Sequence, residues 1–96
     1  MALSELHLVN EAFGKVLRRY RAELGLSQEA MGHLLGVGQR TLSAIEKGER
    51  GLLAAEVVVF ADILAGRLPY EAHEIRQEFF EGRHLAALPR GATHKE

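Results

Sequence analysis

Apolar residues recur every three or four positions through most of this chain, and glycines interrupt the recurrence at intervals. The clearest block runs from Leu26 to Gly48, LSQEAMGHLLGVGQRTLSAIEKG. Ser27 suits a helix N-cap, Met31, Leu34 and Leu35 give residues 28–35 an apolar side, and Gly36 is the residue type that ends a helix in the left-handed conformation. A second helix follows Gly38 and is read over residues 39–47. Its apolar pair is Leu42 and Ile45, so Gln39, Arg40, Ser43 and Lys47 have little reason to face a core. Two short helices joined by a glycine-bounded turn, the second with a free polar face, make a helix-turn-helix. Gly32 sits where the two must approach closely, because glycine inside a helix costs roughly 1 kcal/mol against alanine and needs a packing reason.

The flanking pattern is helical as well. Phe13, Val16, Leu17, Tyr20 and Leu24 are spaced as one helix face, closed by Gly25. Residues 4–24 read as helical, with Ser4 and Asn10 both candidate N-caps. Leu3, Leu6 and Val9 either extend the stripe backwards or form a short preceding segment that packs on the domain or on a partner, and a start at about Asn10 is preferred. Val57, Val58 and Val59 would suit a strand, but no second strand-like run exists to pair with them. Leu53, Val57, Phe60 and Leu64 keep helical spacing, so residues 52–64 are read as a helix, apolar most of the way round. Pro69 suits the first position of a last helix reaching about Glu81, with Leu68, Ala72, Ile75 and Phe79 as its stripe and Glu71, Glu74, Gln77 and Glu78 off it. Phe80 lies beside that stripe and suggests a second contact surface. The tail from Gly82 reads as mobile unless a partner orders it.

The expected fold is therefore all-α, a compact bundle of about five helices with a short C-terminal extension. Residues 1–66 form the helix-turn-helix domain, with a core at 11–65, and residues 67–96 form a helix and tail available for dimerisation or partner binding. Ninety-six residues fit one domain, too small for a spacious catalytic cleft. Cysteine is absent, which removes disulfides and thiolate metal sites. The N-terminal MALSELHLVNEAF has neither an early Lys or Arg nor a long apolar run, so a cytoplasmic location is the default.

A formal net charge of −1 argues against purely electrostatic nucleic-acid binding, but clustering matters more than the sum. Residues 1–50 carry seven bases against six acids, and residues 51–96 carry five against seven. Catalytic and metal chemistry find no foothold. His7, His33, His73, His84 and His94 form no HxxxH or HxH pair, Ser27 is occupied as a cap, and GLGVGQRT lacks the ending of a phosphate-binding loop. No cofactor, metal or enzymatic activity is implied.

GLSQ at 25–28, the small Gly32, and LGVGQRTLSAIEKG at 35–48 together resemble the signature of the Cro and lambda-repressor type (XRE-like) helix-turn-helix regulators, over about residues 11–65. The resemblance implies a lambda-repressor-like fold and a duplex-DNA partner. It implies that Gln28 binds a phosphate and braces Gln39, and that Gln39 reads an adenine. A glutamine amide carries the donor and acceptor that match adenine N6 and N7 in the major groove. By the same resemblance Arg40 reaches a guanine or phosphate, Ser43 a base edge or phosphate and Ala44 a thymine methyl; Arg50 matches a position that touches DNA in some members, and Lys47 lies near enough for a phosphate. The resemblance also implies a structural ion pair between Arg21 and Glu46. Two positions depart from the pattern: Gly38 replaces the usual Ser or Thr cap, and Leu52 and Leu53 replace a Pro-Ser-like helix start.

The function so expected is a sequence-specific transcriptional regulator, a repressor acting as a homodimer on a palindromic operator. The alternative is an antitoxin or adaptor whose segment 68–96 binds a partner protein such as a toxin. For Gln39, Arg40 and Ser43 the bland alternative is an ordinary solvated helix face. For Leu52, Val58, Val59 and Phe80 a dimer interface stands against simple completion of the chain's own core.

Overall fold

A computed structural model of the chain describes residues 3–81, with side chains from Leu6 onward. The described residues form five helices: α1 (Leu3–Leu24), α2 (Gln28–Leu35), α3 (Gln39–Glu46), α4 (Ala54–Ala65) and α5 (Ala72–Phe80). The expectation for the tail from Gly82 falls outside the described residues.

The spacing that predicted each helix also built the core. From α1 come Phe13, Val16, Leu17 and Tyr20, from α2 Met31 and Leu35, and from α3 Leu42 and Ile45. From α4 come Val57, Phe60, Ala61 and Leu64, and from α5 Ile75 and Phe79. Leu42 and Ile45 are fully buried, and burying two such side chains contributes about 3–6 kcal/mol. That burial fixes the rotation of α3 about its own axis, and with it the direction of its polar face.

Three expectations need correction. The first helix starts at Leu3 rather than Asn10, because nothing between Leu3 and Phe13 breaks a helix and His7 pairs with Glu11 one turn on, at 3.0 Å. Asn10 is no cap; it lies inside α1 with its side chain against Gly51. Of that leading segment Val9 packs against the core as expected, while Leu6 and the neighbouring Leu8 are exposed. Pro69 is not the first residue of the last helix. Glu71 is the N-cap, its N–H donating to Glu74 Oε1 at 2.9 Å, and Pro69 belongs to the preceding turn.

The third correction concerns Glu78, which is buried rather than off the stripe. Its position is about 60° around the helix from Ile75, within the buried arc, and its charge disguised that. The Tyr20 hydroxyl donates to Glu78, and Arg19 pairs with the same carboxylate. The Tyr20 ring meets Phe79 edge-on at 5.9 Å, and the Tyr70 hydroxyl donates to Glu23 at 3.0 Å. These contacts fasten α5 and its approach to α1.

Leu53, standing where a hydroxyl cap is usual, offers no side-chain acceptor. Glu56 supplies what remains: its Oε1 accepts from the Leu53 N–H at 2.9 Å. Arg50 forks onto Glu56 at 2.9 and 3.4 Å and donates to the Gly51 carbonyl at 3.1 Å. The hydrogen bond from Arg50 holds the Glu56 carboxyl below its ordinary range against a smaller opposing effect of burial.

Candidate nucleic-acid interface

α2 is fixed at both ends, and the turn that leads from it into α3 is tight. Ser27 Oγ accepts from the Ala30 N–H at 3.1 Å and starts α2. Gly36, at φ 79°, turns the chain out of α2 in the left-handed conformation. The Val37 N–H then reaches back to the Gly32 carbonyl at 2.9 Å. A Cβ on Gly32 would stand 2.7 Å from the Val37 carbonyl, so only glycine lets the turn close this tightly. Gly38 caps α3 in an extended conformation with no side-chain bond, and the Leu42 N–H donates to its carbonyl at 3.0 Å.

Behind the turn lies an ionic hub. Glu46 faces inward from the last turn of α3 with its side chain fully shielded from solvent. Arg21 forks onto it, Nε to Oε2 at 2.7 Å and Nη2 to Oε1 at 2.9 Å, and also donates from Nη1 to the Leu26 carbonyl at 3.1 Å. Gln28 Nε2 donates to Glu46 Oε1 at 3.0 Å, and Arg18 Nε stands 3.7 Å from the same oxygen. Burial pushes the Glu46 carboxyl up, but the hydrogen bonds from Arg21 and Gln28 and the charges of Arg21 and Arg18 outweigh it. The carboxyl is held below its ordinary range. The hydrogen bond to Glu46 raises the Arg21 guanidinium above its own. One carboxylate thus ties together α1, α2 and α3.

In front lies an open groove lined by Gln28, Gln39, Arg40, Ser43, Ala44, Lys47 and Glu49. Gln39, Arg40 and Lys47 are exposed, while Ser43 and Ala44 are half-buried in its floor. Six of the seven residues expected at a DNA surface therefore share one concave face, with donors, acceptors and a methyl group all open to a ligand. Arg50 is the seventh and lies apart, engaged with Glu56. The Gln28 amide is turned toward Glu46, a partner that the resemblance did not supply.

Three participants were not singled out from the sequence. Gly14 lies beneath the end of α3, where a Cβ would meet the Ile45 and Glu46 carbonyls, the latter at 2.6 Å. A glycine within the apolar stretch of α1 carried the same signal as Gly32. Arg18 joins the hub because it sits one turn before Arg21 on the same face. Glu49 brings an acid into the groove just past α3, and its sequence position gave no sign of that.

Comparison with curated proteins found no match. Among family models, one described as a helix-turn-helix domain matches residues 12–71, from near the middle of α1 to the residue before α5. The match spans well over half of the chain and contains the capped turn, the hub and the groove, in keeping with the resemblance to XRE-like regulators. With the geometry and the match in agreement, this chain belongs to the helix-turn-helix domain family.

Proposed function

We propose that the chain is a sequence-specific regulator that binds double-stranded DNA by inserting α3 into the major groove, and that it acts as a homodimeric repressor on an inverted-repeat operator. The observation that carries this reading is the shared groove. Gln39, Arg40, Ser43 and Ala44 project from one face of a helix whose other face is locked into the core by Leu42 and Ile45. Gln39 reads adenine through its amide, Arg40 reads guanine or holds a phosphate, and Ala44 meets a thymine methyl. Gln28 and Lys47 hold backbone phosphates and set the register. Arg50 acts chiefly through α4, whose start it braces, with any phosphate contact made from that braced position.

Two protomers would set their α3 helices about 34–36 Å apart, one turn of B-DNA. Repression follows from occupancy of the operator and needs no cofactor or metal. Among the described residues no helix is long and apolar enough to cross a membrane, which suits a cytoplasmic regulator. Selection from a random duplex library at two salt concentrations tests the reading. Enrichment of one inverted repeat, with binding weakened by salt, is expected. Sequence-indifferent binding would overturn it.

A second reading rests on Phe80, which stays 56% exposed beside the buried Phe79. An aromatic left open at the end of α5 suits a protein partner, as an antitoxin or adaptor requires. Truncation after Gly66 is a poor test, because it would strip Ile75 and Phe79 from the core. Phe80→Ser leaves the core intact. Loss of a co-purifying small protein in that variant, with duplex binding unchanged, would favour this reading.

A further inference from the structure

The groove carries little charge for a surface that must hold a polyanion. Arg40 and Lys47 against Glu49 leave it one net positive charge, and Arg50 is neutralised by Glu56. The hub behind it holds a surplus. Glu46 Oε2 is taken by Arg21 Nε, and Oε1 accepts from both Arg21 Nη2 and Gln28 Nε2. A carboxylate oxygen has two lone pairs, so Oε1 has no acceptor site left for Arg18. Arg18 Nε stands 3.7 Å away, beyond hydrogen-bonding distance, and its side chain is 59% exposed. Two guanidinium groups therefore flank one carboxylate, and the second makes no hydrogen bond to it and is largely exposed. The carboxylate that draws Arg18 also takes the amide of Gln28, and Gln28 lines the groove.

We propose that Arg18, on α1 and outside the helix-turn-helix itself, is a phosphate-contacting residue of the duplex interface. A backbone phosphate seated at Gln28 meets the Arg18 fork beside it, so the hub doubles the positive charge offered along that edge of the groove. The contact is to phosphate and carries no base information, so Arg18 adds affinity and fixes register without affecting sequence choice. The assignment rests on the DNA-binding reading above.

The test uses the full chain with the selected duplex and a scrambled one, measuring affinity between 50 and 200 mM salt. Removing one phosphate contact lowers the slope of log K against log salt by about 0.9 per protomer. Over that fourfold salt range the variant Arg18→Gln therefore loses about 3.5-fold less affinity than its parent for each contact removed. Its affinity at low salt falls by the same factor on both duplexes. Arg18→Lys keeps the charge and should keep the slope. Arg76→Gln, on α5 beside Asp62, removes a positive charge elsewhere and should leave the slope unchanged. A parental slope retained by Arg18→Gln overturns this assignment alone, as does an equal fall in Arg76→Gln. Absence of salt-dependent duplex binding by the parent overturns the DNA-binding reading and this assignment with it. Superimposable circular-dichroism melts of parent and Arg18→Gln exclude unfolding as the cause.

Discussion

Replacing Glu46 with glutamine keeps the shape of the hub and removes its charge, so the variant isolates the electrostatic contribution to the fold. The parent carboxylate accepts three hydrogen bonds, and its side chain is fully buried. A glutamine amide turns a donor toward Arg21 where an acceptor stood, so one charge-assisted bond of about 1.5–3 kcal/mol is lost. Arg21 then remains as a partly buried cation without its counter-charge. Breaking a fully buried pair costs about 3–5 kcal/mol. Arg21 keeps 21% of its side-chain surface in water and a bond to the Leu26 carbonyl, which places the expected loss nearer 2–4 kcal/mol. For a domain of this size that corresponds to a fall in Tm of roughly 10–25 °C.

The assay is urea and thermal unfolding followed by circular dichroism, completed by a cycle of Arg21→Met, Glu46→Leu and the double variant Arg21→Met/Glu46→Leu. Each single change should cost several times more than an exposed ion pair, which contributes roughly 0–1 kcal/mol. The double variant should be less destabilised than the sum of the singles, because an apolar pair leaves no orphaned charge. A cost below about 0.5 kcal/mol for Glu46→Gln, or strict additivity across the cycle, would refute the reasoning that this pair is held out of water.

Other outcomes follow from the same geometry. Gly14→Ala should destabilise the fold despite alanine's helix preference of roughly 1 kcal/mol, since the new Cβ meets two backbone carbonyls and α1 and α3 must part, at about 1–3 kcal/mol; chemical denaturation reads the net sign. Gly38→Ser should stabilise by a few tenths of a kcal/mol, because the site is extended, has open space and lacks a side-chain cap, and a raised urea midpoint is the check. Glu46 and Glu56 both have lowered carboxyl pKa values, so the unfolded chain binds more protons in acid. Their stabilisation is fully present above the ordinary value of 4.5 and is lost as pH falls through the lowered folded values. The Tm should hold from neutrality to about pH 5 and then drop, with a shallower drop in Glu46→Gln.

How legible this molecule was depends on whether a residue acts through periodicity or through tertiary neighbours. Periodicity carried α2 and α3, the cap at Ser27, the left-handed turn at Gly36 and the orientation of Leu42 and Ile45, and these place Gln39, Arg40 and Ser43 at the groove. Val57 to Val59 form part of a helix, as the missing partner strand argued. What stayed hidden needed a neighbour from elsewhere in the chain. Glu78 looked like a solvated acid until Tyr20 and Arg19, far away in sequence, supplied its partners. Arg50 looked free until Glu56 was placed beside it, and the Glu46 partner of Gln28 depended on how α2 packs against α3. Pro69 satisfied a local rule for helix starts that the Glu71 cap overrode.

The most direct test of the central claim, that the groove face of α3 reads bases, compares Gln39→Ala with its parent on two duplexes: the preferred operator, and one in which the adenine assigned to Gln39 is replaced. The account predicts that the variant loses about 1–3 kcal/mol on the preferred duplex and little on the substituted one, so that discrimination at that base pair collapses. Equal affinities of variant and parent on both duplexes would contradict it and remove Gln39 from the reading surface.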